Sequence, residues 1–160
     1  MQELLIERED KSSMKIAIGS DQHGFLYKRF IMERFQQHEY IDVGAFSEDP
    51  VKYPEFGEKV ARMVASGECE RGILICGTGI GMAITANKVR GCYAAVCHDI
   101  YSAERAVLSN NANILCMGAL VIGKKTCEVI TEKWLSLRFD SSSHSMANVA
   151  MIREIEVNEK

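Results

Sequence analysis

The chain has 160 residues, enough for one domain and little more. Hydrophobic residues make up 47% and charged residues 26%, a globular balance too apolar for disorder. The 12 glycines and 2 prolines exclude collagen-like and proline-rich architecture. A net charge of −3 argues against nucleic acid or an anionic membrane as a partner, and no apolar run is long enough to span a bilayer. The opening MQELLIERED lacks the basic start and apolar core of a signal peptide, so a cytoplasmic protein is expected.

Residues 1–13 read as a disordered polar leader and residues 14–160 as the domain. Lys15–Gly19 reads as a strand. A helix from Phe25 to Gln37 follows, with Leu26, Phe30, Ile31 and Phe35 on one face. Tyr40–Val43 is a second strand, and Phe56, Val60 and Val64 mark a helix that stops at Gly67. Gly72–Cys76 is a continuously apolar third strand, as central parallel strands tend to be. The turn Gly77–Gly81 leads into a helix through Asn87. Cys92–Cys97, a helix around Ser102–Leu108, and Asn113–Cys116 come next. Cys127, Ile130, Trp134 and Leu137 stripe one helix; Met146, Val149, Ile152 and Ile155 stripe the last. Strands and helices alternating every ~25–30 residues predict a single α/β domain. Five strands so placed imply a parallel sheet with both faces covered by helices, a three-layer sandwich. Ligands on such sheets bind at the carboxyl ends of strands, here Asp21–Gly24, Cys76–Gly81 and Cys97–Asp99.

The six cysteines form no CxxC pair, and five read as small buried hydrophobes. Cys76 differs by position. It ends a buried strand and precedes Gly77, Gly79 and Gly81, which let the backbone turn closely into a helix. The unpaired N–H groups there stabilise a thiolate and an oxyanion beside it. One segment thus offers a base and an anion hole, with the Thr78 hydroxyl facing the same space. The bland alternative is a tight turn with a packed cysteine. The GxGxG spacing is poor for a dinucleotide loop. Asp21 is either a site carboxylate or a cap for the next helix. Asn87 either binds a ligand or caps.

GSDQHG, KYPEF and GILICGTGIGMAITANKV together resemble the sugar-phosphate isomerases of the type B ribose-5-phosphate isomerase and galactose-6-phosphate isomerase family, from about Met14 to Ile155. The resemblance implies a Rossmann-like five-stranded fold and a metal-free, cofactor-free aldose–ketose isomerase that works through a cis-enediolate. It implies a homodimer or homotetramer with sites straddling the subunit interface, or a hetero-oligomer with a related chain. Carried over by motif, Cys76 is the base, and Asp21 and Thr78 assist proton transfer. Gly77, Gly79, Ile80, Gly81, Met82, Asn87, Asn110 and Tyr53 bind substrate.

Several positions depart from that pattern. Gln22 follows Asp21 where a histidine is usual, and His23 comes one place later. The ring-opening histidine falls at Ser109, and an expected arginine falls at Leu120. The late phosphate-binding arginines fall at His144 and Asn148, and Lys52 replaces an acidic residue. Losing one partner of a desolvated charge pair costs about 2–5 kcal/mol, so ordinary phosphate binding should be much weakened. His144 is kept as a substrate contact and His98 as a replacement for the ring-opening histidine. Lys52, Lys88, Arg90 and Lys124 are further candidates to hold phosphate. Three readings follow: an isomerase for a sugar or sugar phosphate other than ribose 5-phosphate, one subunit of a hetero-oligomer, or a non-catalytic sugar-binding protein. The intact Asp21, Cys76, Thr78 and glycine loop favour catalysis.

Overall fold

The structure, a computed structural model, describes residues 12–159; apart from Ser12 and Ser13, the expected leader lies outside the described residues. Strands and helices alternate as β1 (Lys15–Ser20), α1 (Phe25–Arg34), β2 (Glu39–Asp42), α2 (Tyr53–Ala65), β3 (Arg71–Cys76), α3 (Ile80–Ala86), β4 (Ala94–Val96), α4 (Ile100–Leu108), β5 (Ile114–Gly118), α5 (Lys124–Ser136) and α6 (Met146–Asn158). All strand pairs are parallel, in the order β2-β1-β3-β5-β4. The expected α/β sandwich is the fold. Strand order reverses at β1, so a crevice opens between the carboxyl ends of β1 and β3.

Strand alternation divides the core in two. Ile16, Ile18, Ile73, Ile75 and Leu115 face the layer holding Ile31, Val107 and Trp134. Ala17, Leu74 and Cys116 face the layer holding Val60 and Met82. Every residue of β3 is buried, which explains its unbroken apolar run. Among the described residues, no helix is long and apolar enough to cross a membrane.

Four expectations need correction. α1 ends at Arg34 rather than Gln37, because Phe35 leaves helical geometry and turns its ring into the core. Leu26 points outward, while Lys28 on the same helix is fully buried. The Lys28 ammonium reaches Asp42 Oδ1 at 2.7 Å and the Ala45 carbonyl, so pairing overrides the polarity of its side chain. β4 has only three residues, because Tyr93 joins β5 through the Asn113 side chain: its N–H donates to Asn113 Oδ1. On α6, Val149 is buried as the stripe predicts, but Ile152 and Ile155 are exposed.

Desolvation pushes the thiols of Cys92, Cys97 and Cys127 up to about 11, and raises those of Cys69 and Cys116. A solvated thiol ionises near ~8.5. Between about pH 8.5 and 11 the unfolded chain holds fewer of these protons than the folded one, so stability falls as pH rises. Urea midpoints measured across this range should decline steadily. A flat profile would contradict the burial of these thiols as neutral groups.

Candidate active site

The carboxyl ends of β1, β3, β5 and β4 share one edge of the sheet. At the end of β3 the backbone turns at Gly79, which has φ +78°, and Gly79 N–H donates to Cys76 Sγ at 3.1 Å. A backbone donor aimed at sulfur stabilises negative charge there. The other five cysteines are buried thiols that desolvation holds protonated. Cys76, also buried, carries this loop N–H bond at its sulfur.

The loop is set by close backbone approaches. A Cβ on Gly79 would lie 2.9 Å from the Met117 carbonyl carbon, and one on Gly118 would lie 2.7 Å from Thr78 backbone. Cys76 O accepts Ala119 N–H at 2.8 Å, and Gly77 O accepts Leu120 N–H at 3.0 Å. The chain after β5 is thus tied to the residue that carries the thiol. Thr78 is exposed at the mouth, and its Oγ1 accepts Ile80 N–H at 3.3 Å. Gly81 lets the Tyr53 ring close in, within 2.5 Å of where a Cβ would stand. Ile80 is exposed beside the mouth, whereas Met82 is buried in the core.

Asp21 is buried at the end of β1, and its Oδ1 accepts the His23 and Gly24 N–H groups at 2.9 and 3.0 Å. This is a capping geometry, so the carboxylate orders the loop into α1. His98 lies at the end of β4, and its Nε2 accepts Gly118 N–H at 2.8 Å. That bond leaves the ring proton on Nδ1 and braces the strand end on which Thr78 packs.

Asn87 and Asn110 lie elsewhere. Helices α3 and α4 run back from the carboxyl edge, so their ends reach the amino edge of the sheet. There Asn87 Oδ1 accepts Ala94 N–H and its Nδ2 donates to Ala94 O, pairing with β4 as a neighbouring strand would. Asn110 is exposed just beyond α4. His144 is exposed in the turn before α6. One chain therefore gathers Cys76, Thr78, Asp21, His98 and Tyr53, but not Asn87 or Asn110.

Two neighbours of the loop were not singled out as site residues from the sequence. Leu120 Cδ1 and His23 Cδ2 lie 3.2 and 3.7 Å from where a Gly77 Cβ would stand. In the sequence both stand out only as departures from a motif. Gln22 Oε1 accepts Val51 N–H at 3.2 Å, which frees the next residue for the mouth.

The sequence matches the family described as Ribose/Galactose Isomerase over residues 16–152. The chain belongs to that family. As a member it is a sugar-phosphate isomerase of the aldose–ketose class. It is 49% identical over 145 residues to ribose-5-P isomerase B of Listeria innocua, covering 89% of this chain and 97% of that protein. It is 44% identical over 142 residues to D-erythrulose-4-phosphate isomerase 2 of Mycolicibacterium smegmatis, covering 86% and 93%. The solved ribose-5-phosphate isomerase B of Clostridium thermocellum superposes with a TM-score of 0.86 at 45% identity, covering 90% of this chain and 98% of that one.

Gly118→Ala tests the close approach. Its methyl would press on Thr78 backbone, and such overpacking costs ~1–3 kcal/mol. The thermal midpoint should drop and most isomerase activity should go with it. Wild-type stability and rate in this variant would mean the loop does not depend on the contact.

Proposed function

We propose that the chain interconverts a four-carbon aldose phosphate and its ketose through a cis-enediolate, with Cys76 as the base. The observation that carries the reading is the Gly79 N–H bond to Cys76 Sγ at the mouth of the glycine loop. The thiolate removes the proton from the carbon beside the carbonyl. Loop amides hold the resulting oxyanion. Thr78 passes the oxygen-bound proton between neighbouring oxygens, and Cys76 returns the carbon proton to the adjacent carbon. A solvated thiol is only a few per cent ionised at neutral pH, so the amide donor is required.

The chain length follows from what stands at position 109. A pentose 5-phosphate closes into a furanose through its C4 hydroxyl and must be opened before this chemistry. Ser109 has no side chain that titrates near neutral pH. In a tetrose 4-phosphate the C4 oxygen carries the phosphate, so no furanose forms and no opening step is needed. A relative 44% identical is named for D-erythrulose 4-phosphate, which supports the same size.

Asn110 and Cys76 belong to opposite edges of one sheet, so the site is completed by a second copy in a dimer. The exposed Ile84, Ile100 and Tyr101, together with the open edge of β4, offer the surface. The test is steady-state isomerisation of D-erythrulose 4-phosphate against ribose 5-phosphate. The four-carbon substrate should lead in kcat/KM by at least about 100-fold, a gap of about 2.7 kcal/mol. Ser109→His should narrow it. Equal kcat/KM for the two sugars in the wild type would contradict the assignment.

A further inference from the structure

A cavity of about 470 Å³ runs along the outer edge of β4. Its walls include Ala95, Val96, Ala106 and Ile152, and its polar lining includes Arg105 and Asn110. Nothing described so far uses Arg105. Its guanidinium is under-satisfied. Nη2 donates to Glu104 Oε1 at 3.2 Å, and Nη1 makes only a long 3.4 Å contact to Ser109 Oγ. Nε is covered and has no acceptor. The side chain is 37% exposed, so the head is neither paired away nor free in bulk water.

The other charges around it leave that head available. Glu104 is shared with Lys133, whose Nζ lies 3.8 Å from its second oxygen. Asp99, at the other end of α4, caps the helix: Oδ1 accepts Ser102 N–H and Oδ2 accepts the Ser102 hydroxyl. The strand adds a donor. Cys97 N–H turns inward to Cys116 O, so the alternation of a parallel ladder turns Ala94 and Val96 outward. Asn87 takes up Ala94, and Val96 N–H faces the cavity side. A guanidinium, an amide side chain and a backbone N–H around an apolar-walled cavity suit an oxyanion with several acceptor oxygens.

This cavity cannot serve the thiol of its own chain. β5 lies between β3 and β4, so it stands two strand spacings, about 10 Å, from Cys76 and around the edge of the sheet. We propose that Arg105, with Asn110 and the Val96 amide, receives the terminal phosphate or sulfonate of the sugar held at the cysteine loop of a second copy of this chain. The inference rests on the dimeric isomerase reading above and deepens it: Arg105 replaces the arginines missing at Leu120, His144 and Asn148.

The test compares wild type, Arg105→Gln and Arg105→Lys on D-erythrulose 4-phosphate and on unphosphorylated erythrulose. Arg105→Gln should raise KM for the phosphate at least tenfold with kcat within about twofold, and Arg105→Lys should recover part of the loss. Turnover of free erythrulose should not change. An unchanged KM for the phosphate, or equal losses on both sugars, would overturn the assignment. A binding measurement separates it from the isomerase reading. Inorganic phosphate at 10 mM, matched for ionic strength with chloride, should raise the wild-type melting temperature but not that of Arg105→Gln. That result, in a wild type that turns over neither sugar, would leave the anion site standing and the isomerase reading fallen. Equal shifts in both proteins would overturn the anion site.

Discussion

The site depends on backbone meeting backbone between the glycine loop and the end of β5. Gly79 and Gly118 leave the loop lying against Met117 and Thr78 where any Cβ would intrude. That contact sets the turn, and the turn aims the Gly79 N–H at Cys76 Sγ. The bonds from Ala119 and Leu120 back to Cys76 and Gly77 then fix the opposite wall. A thiol at the end of an ordinary strand would have no loop amide pointing at its sulfur. The geometry of the loop therefore rests on which residues lack a side chain.

Around this loop the remaining polar groups hold geometry. Asp21 orders the start of α1 through two backbone amides, and His98 pins Gly118. Lys28, buried under the β1–β2 end of the sheet, anchors Asp42 and Ala45 and so the segment leading to Tyr53. Leu120, 71% exposed, stands over Gly77 instead of a cation. The guanidinium with unfilled capacity lies along β4, which divides the labour of the site between two edges of one fold.

The sequence was most readable where one force acts alone. Continuous burial marks β3, and period-two alternation sorts β1 residues between the two core layers. The glycine spacing around Cys76 announced a close turn, and the turn is there. Reading failed where partners come from far along the chain. Lys28 looks like a solvated residue until Asp42 and Ala45 close over it. Spacing places Leu26 on the inner face, yet α1 is rotated to bury that lysine. Asn87 and Asn110 sit in sequence beside site motifs, but helices returning across the sheet carry them to its far edge. Arg105 carries no sequence signal, because its setting depends on β4, α4 and α6 meeting at one cavity.

The central claim is that Cys76 moves a carbon-bound proton. Its most direct measurement is the deuterium content of D-erythrulose 4-phosphate equilibrated with the enzyme in deuterated water, with folded Cys76→Ala beside the wild type. The wild type should place solvent deuterium on C1 of the ketose and C2 of the aldose, and Cys76→Ala should place none. Incorporation at the wild-type rate in that variant, or isomerisation by it at the wild-type rate, would contradict the account.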